Sequence, residues 1–121
     1  MNNVFIYIGL NALIMVMLAM NVIRERGKNK VSLGDGGFNS LNKAIRAHGN
    51  NTEYTPIGLL ILIGLGLKDA PIAQLHMMGI SLTLGRLLHG LGLAASFPYG
   101  RMIGIVLTFL SIISGAILLM M

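Results

Sequence analysis

Residues 46–56 read RAHGNNTEYTP and run directly into the apolar segment Ile57–Leu67. This stretch places a base, an imidazole, two amides and an acid where a membrane-spanning helix would begin. Ionisable groups at membrane depth cost about 2.5–3.5 kcal/mol each on insertion scales. We therefore treat this stretch as the candidate functional segment, and the rest of the chain is interpreted around it.

The composition predicts an integral membrane protein. The chain has 121 residues, of which 55% are hydrophobic and 11% charged, and its mean hydropathy is +0.77. A soluble domain carries about 25% charged residues, so too few charges are present to cover a water-facing surface. The length suits one domain, 1–121. The first apolar segment lacks a basic leader and a small-residue cleavage site, which favours a permanent span.

Several kinds of site are excluded or disfavoured by residue type. The chain has no cysteine, so it cannot form disulfides, thiolate metal sites or a protein-borne thiol nucleophile. No His, Asp and Glu spacing is typical of a metal site, and we expect none. The net charge of +5 comes from bases beside apolar spans, where they orient helices in a bilayer. Nucleic-acid binding is therefore not expected.

Four apolar segments predict an all-α bundle of four transmembrane helices. They run from about Val4 to Ile23, from about Leu41 to Leu67, from about Ile72 to Leu93 and from about Met102 to Met121. About 20 helical residues cross a hydrocarbon core of about 30 Å. The second segment is strictly apolar only from about Thr55 and reaches about 20 Å. Its polar half must face protein or water, because lipid cannot satisfy it.

The distribution of basic residues predicts the orientation. The longest loop, about Arg24–Ser40, carries Arg24, Arg26, Lys28 and Lys30, and Lys43 follows just after it. The third loop carries Arg101. The second loop carries Lys68 alone. The positive-inside rule then places the first and third loops in the cytoplasm and both termini outside. A glycine cluster at 34–37 could in principle cradle phosphate, but it lacks the lysine of a P-loop and is better interpreted as a flexible turn.

The polar residues of the second segment form one main face. At 100° per residue, Arg46, Asn50 and Glu53 fall within about 60° of one another. We expect Arg46 and Glu53 to bracket Asn50 instead of pairing with each other. His48 projects from nearly the opposite side. The third segment carries Arg86 and His89 at i and i+3, and we predict that Glu53 and Arg86 interact, either directly or through a neighbouring subunit, because a buried unpaired charge is costly.

These charges allow a structural and a functional interpretation. A buried Arg–Glu pair can simply hold a helix bundle together. However, one glutamate cannot neutralise all the cationic and amide groups on the side of the first and third loops. These groups are Arg24, Arg46, Asn50, His89 and Arg101. A surplus of positive charge is typical of an anion-binding site. The pairs Gly100–Gly104 and Ser111–Gly115 predict close helix approach on the fourth segment.

At this point the chain resembles a known family. The pattern Arg46-x-His48-x-Asn50-x-x-Glu53-x-x-Pro56 resembles the second-helix signature of the MAPEG superfamily, the membrane-associated proteins of eicosanoid and glutathione metabolism. Gly85-Arg86-Leu87-Leu88-His89 resembles its third-helix motif, and Gly34-Asp35-Gly36-Gly37-Phe38 looks most like the short bacterial members. The four-span layout agrees, so the resemblance covers nearly the whole chain. It implies a homotrimer in the bacterial inner membrane, with the second helices around the three-fold axis.

The resemblance also implies glutathione as co-substrate, held between subunits near the cytoplasmic side. Arg24 would reach a glutathione carboxylate, and Glu53 would hold the amino group. The remaining glutathione-binding residues would be Arg46, Asn50, Arg86 and His89, with His48 and Tyr99 as further candidates. Arg101 would stabilise the glutathione thiolate as the catalytic residue, because a cationic neighbour lowers a thiol pKa.

Three positions depart from the family pattern as it stands in this sequence. Leu93 and Ile105 occupy places where several members carry tyrosine, and Arg101-Met102 replaces an arginine–serine pair. The implied reaction is thiol conjugation or peroxide reduction of a small hydrophobic substrate arriving from the membrane lipid. A non-catalytic MAPEG-fold protein that binds a thiol or lipid is the alternative. A small multidrug-type transporter is a weaker one, because its membrane glutamate usually lies on the first helix, which is uncharged here.

Overall fold

The chain folds into four α-helices joined by short connections. The computed structural model describes residues 2–121, with side chains from Asn3 onward. The helices are α1 (Asn2–Asn29), α2 (Asn39–Leu67), α3 (Ile72–Ala94) and α4 (Gly100–Met120). The predicted all-α, four-helix membrane architecture is confirmed. Among the described residues, α1, α3 and α4 are long and apolar enough to cross a membrane by length and composition, whereas α2 is not, because its first half is polar.

Two central helices organise the bundle. α2 and α3 pack on each other and on both outer helices, while α1 and α4 have no contact with each other in the described part of the chain. Consecutive helices are antiparallel because the connections are short. The α1–α2 loop (residues 30–38) and the α3–α4 loop (residues 95–99) therefore lie at the same end of the bundle, which we call the loop-1 end. The α2–α3 loop (residues 68–71) lies at the other end.

The first loop is shorter than predicted. We expected it to begin near Arg24, but α1 continues to Asn29. The extension carries its own polar contacts, because Asn29 Nδ2 donates to the Glu25 carbonyl at 2.8 Å and Arg26 Nη1 donates to the Gly34 carbonyl at 2.7 Å. The apolar pattern thus marks where the lipid-facing part of α1 ends, and the helix itself projects further.

The glycine-rich turn is organised by an aspartate of the chain itself. Gly34, Gly36 and Gly37 have φ values of 69°, 57° and 79°, a region that favours glycine. Asp35 Oδ1 accepts from the Gly37 amide at 3.0 Å, and Asp35 Oδ2 accepts from Asn42 Nδ2 at 2.7 Å. The Gly37 amide, followed by the Asn42 amide, lowers the pKa of the Asp35 carboxyl. This turn therefore serves to join α1 to the start of α2.

Small residues set the distance between α3 and α4. The buried residues of α4 recur every three or four positions and are all small: Gly100, Gly104, Thr108, Ser111 and Gly115. A Cβ atom on Gly104 would lie 2.6 Å from the Gly85 carbonyl oxygen, closer than real contacts allow. Ser111 Oγ also donates to the Met78 carbonyl of α3 at 3.0 Å. The predicted close approach of α4 is confirmed, and it brings the beginning of α4 against the end of α3.

The apolar core lies mainly toward the end opposite the first loop. One cluster gathers residues of α1, α2 and α3, namely Val4, Tyr7, Ile61, Leu62, Leu65, Leu75 and Met78. A smaller cluster of Ile14, Leu18 and Ala47 holds α1 against α2 nearer the loop-1 end. The outward faces carry exposed apolar side chains such as Leu13 and Ile113, as expected for a lipid-facing surface. The loop-1 end consequently has room for polar side chains between α2, α3 and α4.

Candidate functional site

A polar cleft of about 330 Å³ opens at the loop-1 end of the bundle between three helices. Its lining comes from α2 (Asn42, Lys43, Arg46 and Asn50), from α3 (His89 and Leu93) and from α4 (Arg101). Small-molecule sites occupy about 300–1,000 Å³, so the cleft is at the lower end of that range. The lining holds three cationic side chains and no acid. We call it the cationic cleft.

The helical period of α2 explains why its polar residues line the cleft. Leu41, Ala44 and Ala47 are buried against the bundle, and Asn42, Arg46 and Asn50 follow at four-residue intervals on a neighbouring face. Residues four apart lie above one another on a helix. The predicted grouping of Arg46 and Asn50 on one face therefore holds in the folded chain.

Glu53 continues this face one turn beyond Asn50 and contacts Arg46. Arg46 Nη1 lies 3.9 Å from Glu53 Oε1, and the two side chains are 57% and 53% exposed. The expectation that these residues bracket Asn50 without pairing is wrong, because two long side chains can span two helical turns. Exposed pairs of this kind contribute about 0–1 kcal/mol, so both groups stay available to a ligand.

Arg86 is the most deeply buried charged residue in the described part of the chain, with 1% of its surface exposed. Its Nη1 donates to Asn50 Oδ1 at 2.7 Å and its Nε donates to Thr108 Oγ1 at 2.9 Å. Its Cζ lies 5.6 Å from the centre of the Tyr54 ring, within range of a cation–π contact. Arg86 thus connects α2, α3 and α4 directly behind the cleft.

The predicted direct pairing of Glu53 with Arg86 is wrong for the single chain. Asn50 lies one turn before Glu53 and presents its amide oxygen to Arg86, while Glu53 turns outward to Arg46. Pairing of Glu53 with Arg86 of a neighbouring subunit stays a prediction. Thr108 and Tyr54 were missed by sequence reasoning as partners of Arg86. The signal for Thr108 was present, since it stands one turn beyond Gly104 on the small-residue face of α4.

Of the two predicted third-helix residues, His89 lines the cleft and Arg86 does not. His89 is 5% exposed and lines the cleft one turn after Arg86. Leu93, a further turn along, adds an apolar side chain. Arg101 is exposed at the first turn of α4 and lines the cleft from the opposite side. The close packing of α4 on α3 therefore brings Arg101 toward His89.

Besides Glu53 and Arg86, three further predicted site residues lie outside the cleft of their own chain. Arg24 is exposed, and its Nη2 donates to Asn21 Oδ1 at 3.1 Å and lies 3.7 Å from Glu25 Oε1. Tyr99 precedes α4 with φ 58° and is 74% exposed. His48 is half-buried on another side of α2. Among the described residues, no group of three His, Asp or Glu side chains converges as a metal site would require.

Comparison with known proteins agrees with this architecture. The model of the MAPEG family matches residues 4–121. The chain is 39% identical over 87 residues to the inner membrane protein YecN of Escherichia coli strain K12, and equally to YecN of a uropathogenic Escherichia coli strain. The match covers 72% of this chain and 66% of YecN, just under two thirds of that relative. No solved structure matches the chain significantly. A family match over nearly the whole chain, on a four-helix membrane fold with these motifs, shows that the chain belongs to the MAPEG family.

Proposed function

We propose that the cationic cleft binds glutathione and that the protein is a membrane-embedded, glutathione-dependent transferase or peroxidase. The observation that carries the proposal is the lining of the cleft, which has Lys43, Arg46 and Arg101 but no acid. Glutathione has two carboxylates and one ammonium group. Guanidinium groups bind carboxylates through paired, charge-assisted hydrogen bonds. Glu53, which contacts the lining residue Arg46, offers a carboxylate to the ammonium group.

The division of labour within the cleft follows from position. Arg46 and Lys43 are placed to bind the peptide carboxylates. Arg86 does not line the cleft; it holds the Asn50 amide in a fixed orientation through its 2.7 Å hydrogen bond. Asn50 Nδ2 is then free to donate to the peptide backbone. Arg101, on a separate helix, is the residue that we assign to the sulfur.

The chemistry assigned to Arg101 is stabilisation of the thiolate. A thiol has a pKa near 8.5 in water, and a neighbouring cation lowers it. Because the chain contains no cysteine, a thiol nucleophile has to come from the ligand. The thiolate would attack a hydrophobic electrophile with loss of a leaving group. In the peroxidase reaction it would attack the terminal oxygen of a lipid hydroperoxide, which breaks the O–O bond, releases the lipid alcohol and leaves a sulfenic acid on the glutathione. The thiol of a second glutathione would then attack the sulfenic sulfur, forming the disulfide and releasing water.

Assembly and orientation belong to the same proposal. Arg24 lies outside the cleft of its own chain. In the homotrimer, Arg24 would contact the glutathione bound at a neighbouring subunit. A location in the inner membrane is supported by the similarity to YecN, which is named an inner membrane protein. We place the cleft at the cytoplasmic side and both termini outside, because the bases concentrate at the loop-1 end.

A non-catalytic thiol-binding protein is the second candidate. It is favoured by the lining itself, because neither a tyrosine nor another hydroxyl group faces the cleft and Leu93 stands at its edge. Such a protein would bind glutathione without lowering its thiol pKa. Binding and catalysis therefore need separate tests.

The test of binding is the thermal unfolding of detergent-purified protein with and without reduced glutathione. A ligand at about 100 times its Kd adds roughly 2.7 kcal/mol to the stability of the folded state. The increment should be lost in Arg46→Ala and kept in Lys68→Ala, a control at the opposite end whose Nζ donates to the Leu119 carbonyl. Absence of any increment in the natural protein would refute the proposal. Conjugation of glutathione to an aryl halide would then distinguish the enzyme from the binder.

A further inference from the structure

A second polar cavity, of about 190 Å³, lies at the loop-1 end between the end of α1, the beginning of α2 and the end of α3. It differs from the cationic cleft because it contains an acid, Glu25, and the two share only Lys43. We call it the Glu25 cavity. Its polar lining residues are Asn21, Glu25, Asn39, Ser40, Lys43 and Ser96.

Glu25 brings a buried carboxylate to this cavity without a close partner. The residue is 7% exposed. Its Oε2 lies 3.5 Å from Asn29 Nδ2, which also donates to the Glu25 carbonyl at 2.8 Å, and its Oε1 lies 3.7 Å from Nη2 of the exposed Arg24 side chain. Short charge-assisted hydrogen bonds measure about 2.7–2.9 Å. Because a buried carboxylate is costly unless it is well paired, Glu25 is able to bind a cation in the cavity.

The beginning of α2 gives the same cavity an anion-binding side. No side chain caps the N-terminus of α2, and the first amides of a helix favour a negative charge. Asn39 and Ser40 of this first turn line the cavity, and Lys43 adds a cation one turn later. The ion pairs found among the described residues are Arg24–Glu25 and Arg46–Glu53, so Lys43 does not neutralise Glu25 directly. The cavity therefore offers separate sites for a cation and for an anion.

An apolar groove of about 160 Å³ between α1 and α3 adjoins the Glu25 cavity, because Asn21 and Ala94 line both. The groove is lined on α1 by apolar residues that include Ile14 and Leu18. Asn21 stands at the junction, and Glu25 follows one turn later. This order, apolar and then polar along one helix, matches the passage from the hydrocarbon core of a membrane to its headgroup region. Groove and cavity together fit an amphiphile.

We propose that the Glu25 cavity and the adjoining groove bind a membrane phospholipid whose headgroup carries a primary ammonium, as ethanolamine does. The ammonium has three N–H donors and would bind the Glu25 carboxylate. The phosphate would lie near Lys43 and the first turn of α2, with an acyl chain along the groove. A lipid without an ammonium would leave Glu25 uncompensated, and a quaternary ammonium would supply charge but no N–H donor.

The test is native mass spectrometry of the detergent-purified protein titrated with four phospholipids that have the same acyl chains. Their headgroups are ethanolamine and its mono-, di- and trimethylated forms, so the charge stays constant while the number of N–H donors falls from three to zero. We expect affinity to fall along the series, with ethanolamine about tenfold tighter than the trimethylated headgroup, choline. Free phosphoethanolamine, which has no acyl chain, should not displace the lipid at equal concentration.

The variant Glu25→Gln tests the ammonium site in the same titration. It preserves the shape of the side chain and removes the charge, so the ethanolamine and choline lipids should bind equally. Asp69→Asn is the matched control, because it removes an exposed carboxylate from the α2–α3 loop at the opposite end. It should keep the preference of the natural protein. The methylation series in the natural protein does not depend on the folding of either variant.

The variant Ala94→Phe tests the continuity of groove and cavity. Ala94 is exposed and lines both, so a phenyl ring there should block the junction and weaken binding of every lipid in the series. Ala95→Phe is the control, because Ala95 is also exposed but lines neither the groove nor the cavity. It should bind the lipids as the natural protein does.

Four outcomes would overturn the proposal. Equal affinity along the methylation series would show that the ammonium is not recognised. A preference that survives Glu25→Gln, or binding that survives Ala94→Phe, would place the lipid elsewhere. Displacement by free phosphoethanolamine at equal concentration would identify a site for a soluble zwitterion. Absence of bound lipid would show that the chain itself or a neighbouring copy satisfies Glu25. All titrations omit glutathione, so they stand apart from the test of the cationic cleft.

Discussion

Arg86 Nη1 donates to Asn50 Oδ1 at 2.7 Å, so a buried cation of α3 fixes an amide that lines the cationic cleft. The same guanidinium reaches α4 through Thr108. Arg86 itself faces the interior, and its Nη2 is buried without a partner among the described residues. The stability of the bundle and the geometry of the cleft therefore depend on one side chain.

Replacing Thr108 by Val should destabilise the protein without altering the lining of the cleft. The substitution preserves the shape but leaves Arg86 Nε without its acceptor, and an unsatisfied buried donor costs about 1–3 kcal/mol. Unfolding in a mild detergent measures the change. Ser114→Ala is the control, because the Ser114 hydroxyl donates within its own helix to the Leu110 carbonyl at 2.6 Å and is exposed. Equal stability of the two variants would show that Thr108 does not support Arg86.

Replacing Glu53 by Gln separates a structural role from a ligand role. The pair with Arg46 is half-exposed at 3.9 Å, so its loss should change stability by less than about 1 kcal/mol. If Glu53 binds the glutathione ammonium group, the same variant should weaken glutathione binding by about tenfold or more. Calorimetric titration with reduced glutathione provides the comparison. Unchanged affinity would remove Glu53 from the site.

Replacing Arg101 by Ala should abolish the thiolate signal of bound glutathione, the absorbance near 240 nm that thiolates show and thiols lack. Each pKa unit corresponds to about 1.4 kcal/mol, so a cation that lowers the thiol pKa by about two units makes the thiolate predominant at neutral pH. Arg101→Lys should retain part of the signal because it keeps the charge. A signal that persists in Arg101→Ala would assign the thiolate to another residue, whereas a natural protein that binds glutathione without the signal would be a binder only.

Replacing Gly104 by Ala should destabilise the contact between α3 and α4. The added Cβ would lie 2.6 Å from the Gly85 carbonyl oxygen, and overpacking of this kind costs about 1–3 kcal/mol. Gly9→Ala on α1 is the matched control, because a Cβ there meets nothing within 4 Å. Alanine favours a helix over glycine by about 0.5–1 kcal/mol, so the control should be neutral or stabilising. Similar losses in both variants would contradict the packing argument.

The proposed orientation can be tested by labelling single cysteines, since the natural chain contains none. Ser32→Cys lies in the α1–α2 loop and Lys68→Cys at the opposite end, and both positions are exposed. A membrane-impermeant maleimide added to intact spheroplasts should label Lys68→Cys and leave Ser32→Cys unmodified. Inverted vesicles should give the reverse. The opposite pattern would place the cationic cleft outside the cytoplasm.

Local properties of the chain were sufficient to predict the fold class and one face of the site. The lengths of the apolar segments predicted four helices, and the polar half of α2 distinguished that helix from the other three. Both features could be predicted because they are properties of consecutive residues. The four-residue spacing of Arg46 and Asn50 placed them together on α2 for the same reason. The spacing of small residues on α4 likewise predicted its close packing.

Contacts between helices could not be predicted in this way. The sequence alone established that Arg86 and Glu53 are charged groups in a membrane protein and that such groups need partners. Only the tertiary structure decided that Arg86 binds Asn50 and Thr108 while Glu53 turns to Arg46. The reason is that pairing across helices depends on the rotation and relative depth of each helix, which are set by glycine contacts such as that of Gly104 with Gly85. A difference of one helical turn is enough to replace a carboxylate by an amide as the partner of a buried arginine.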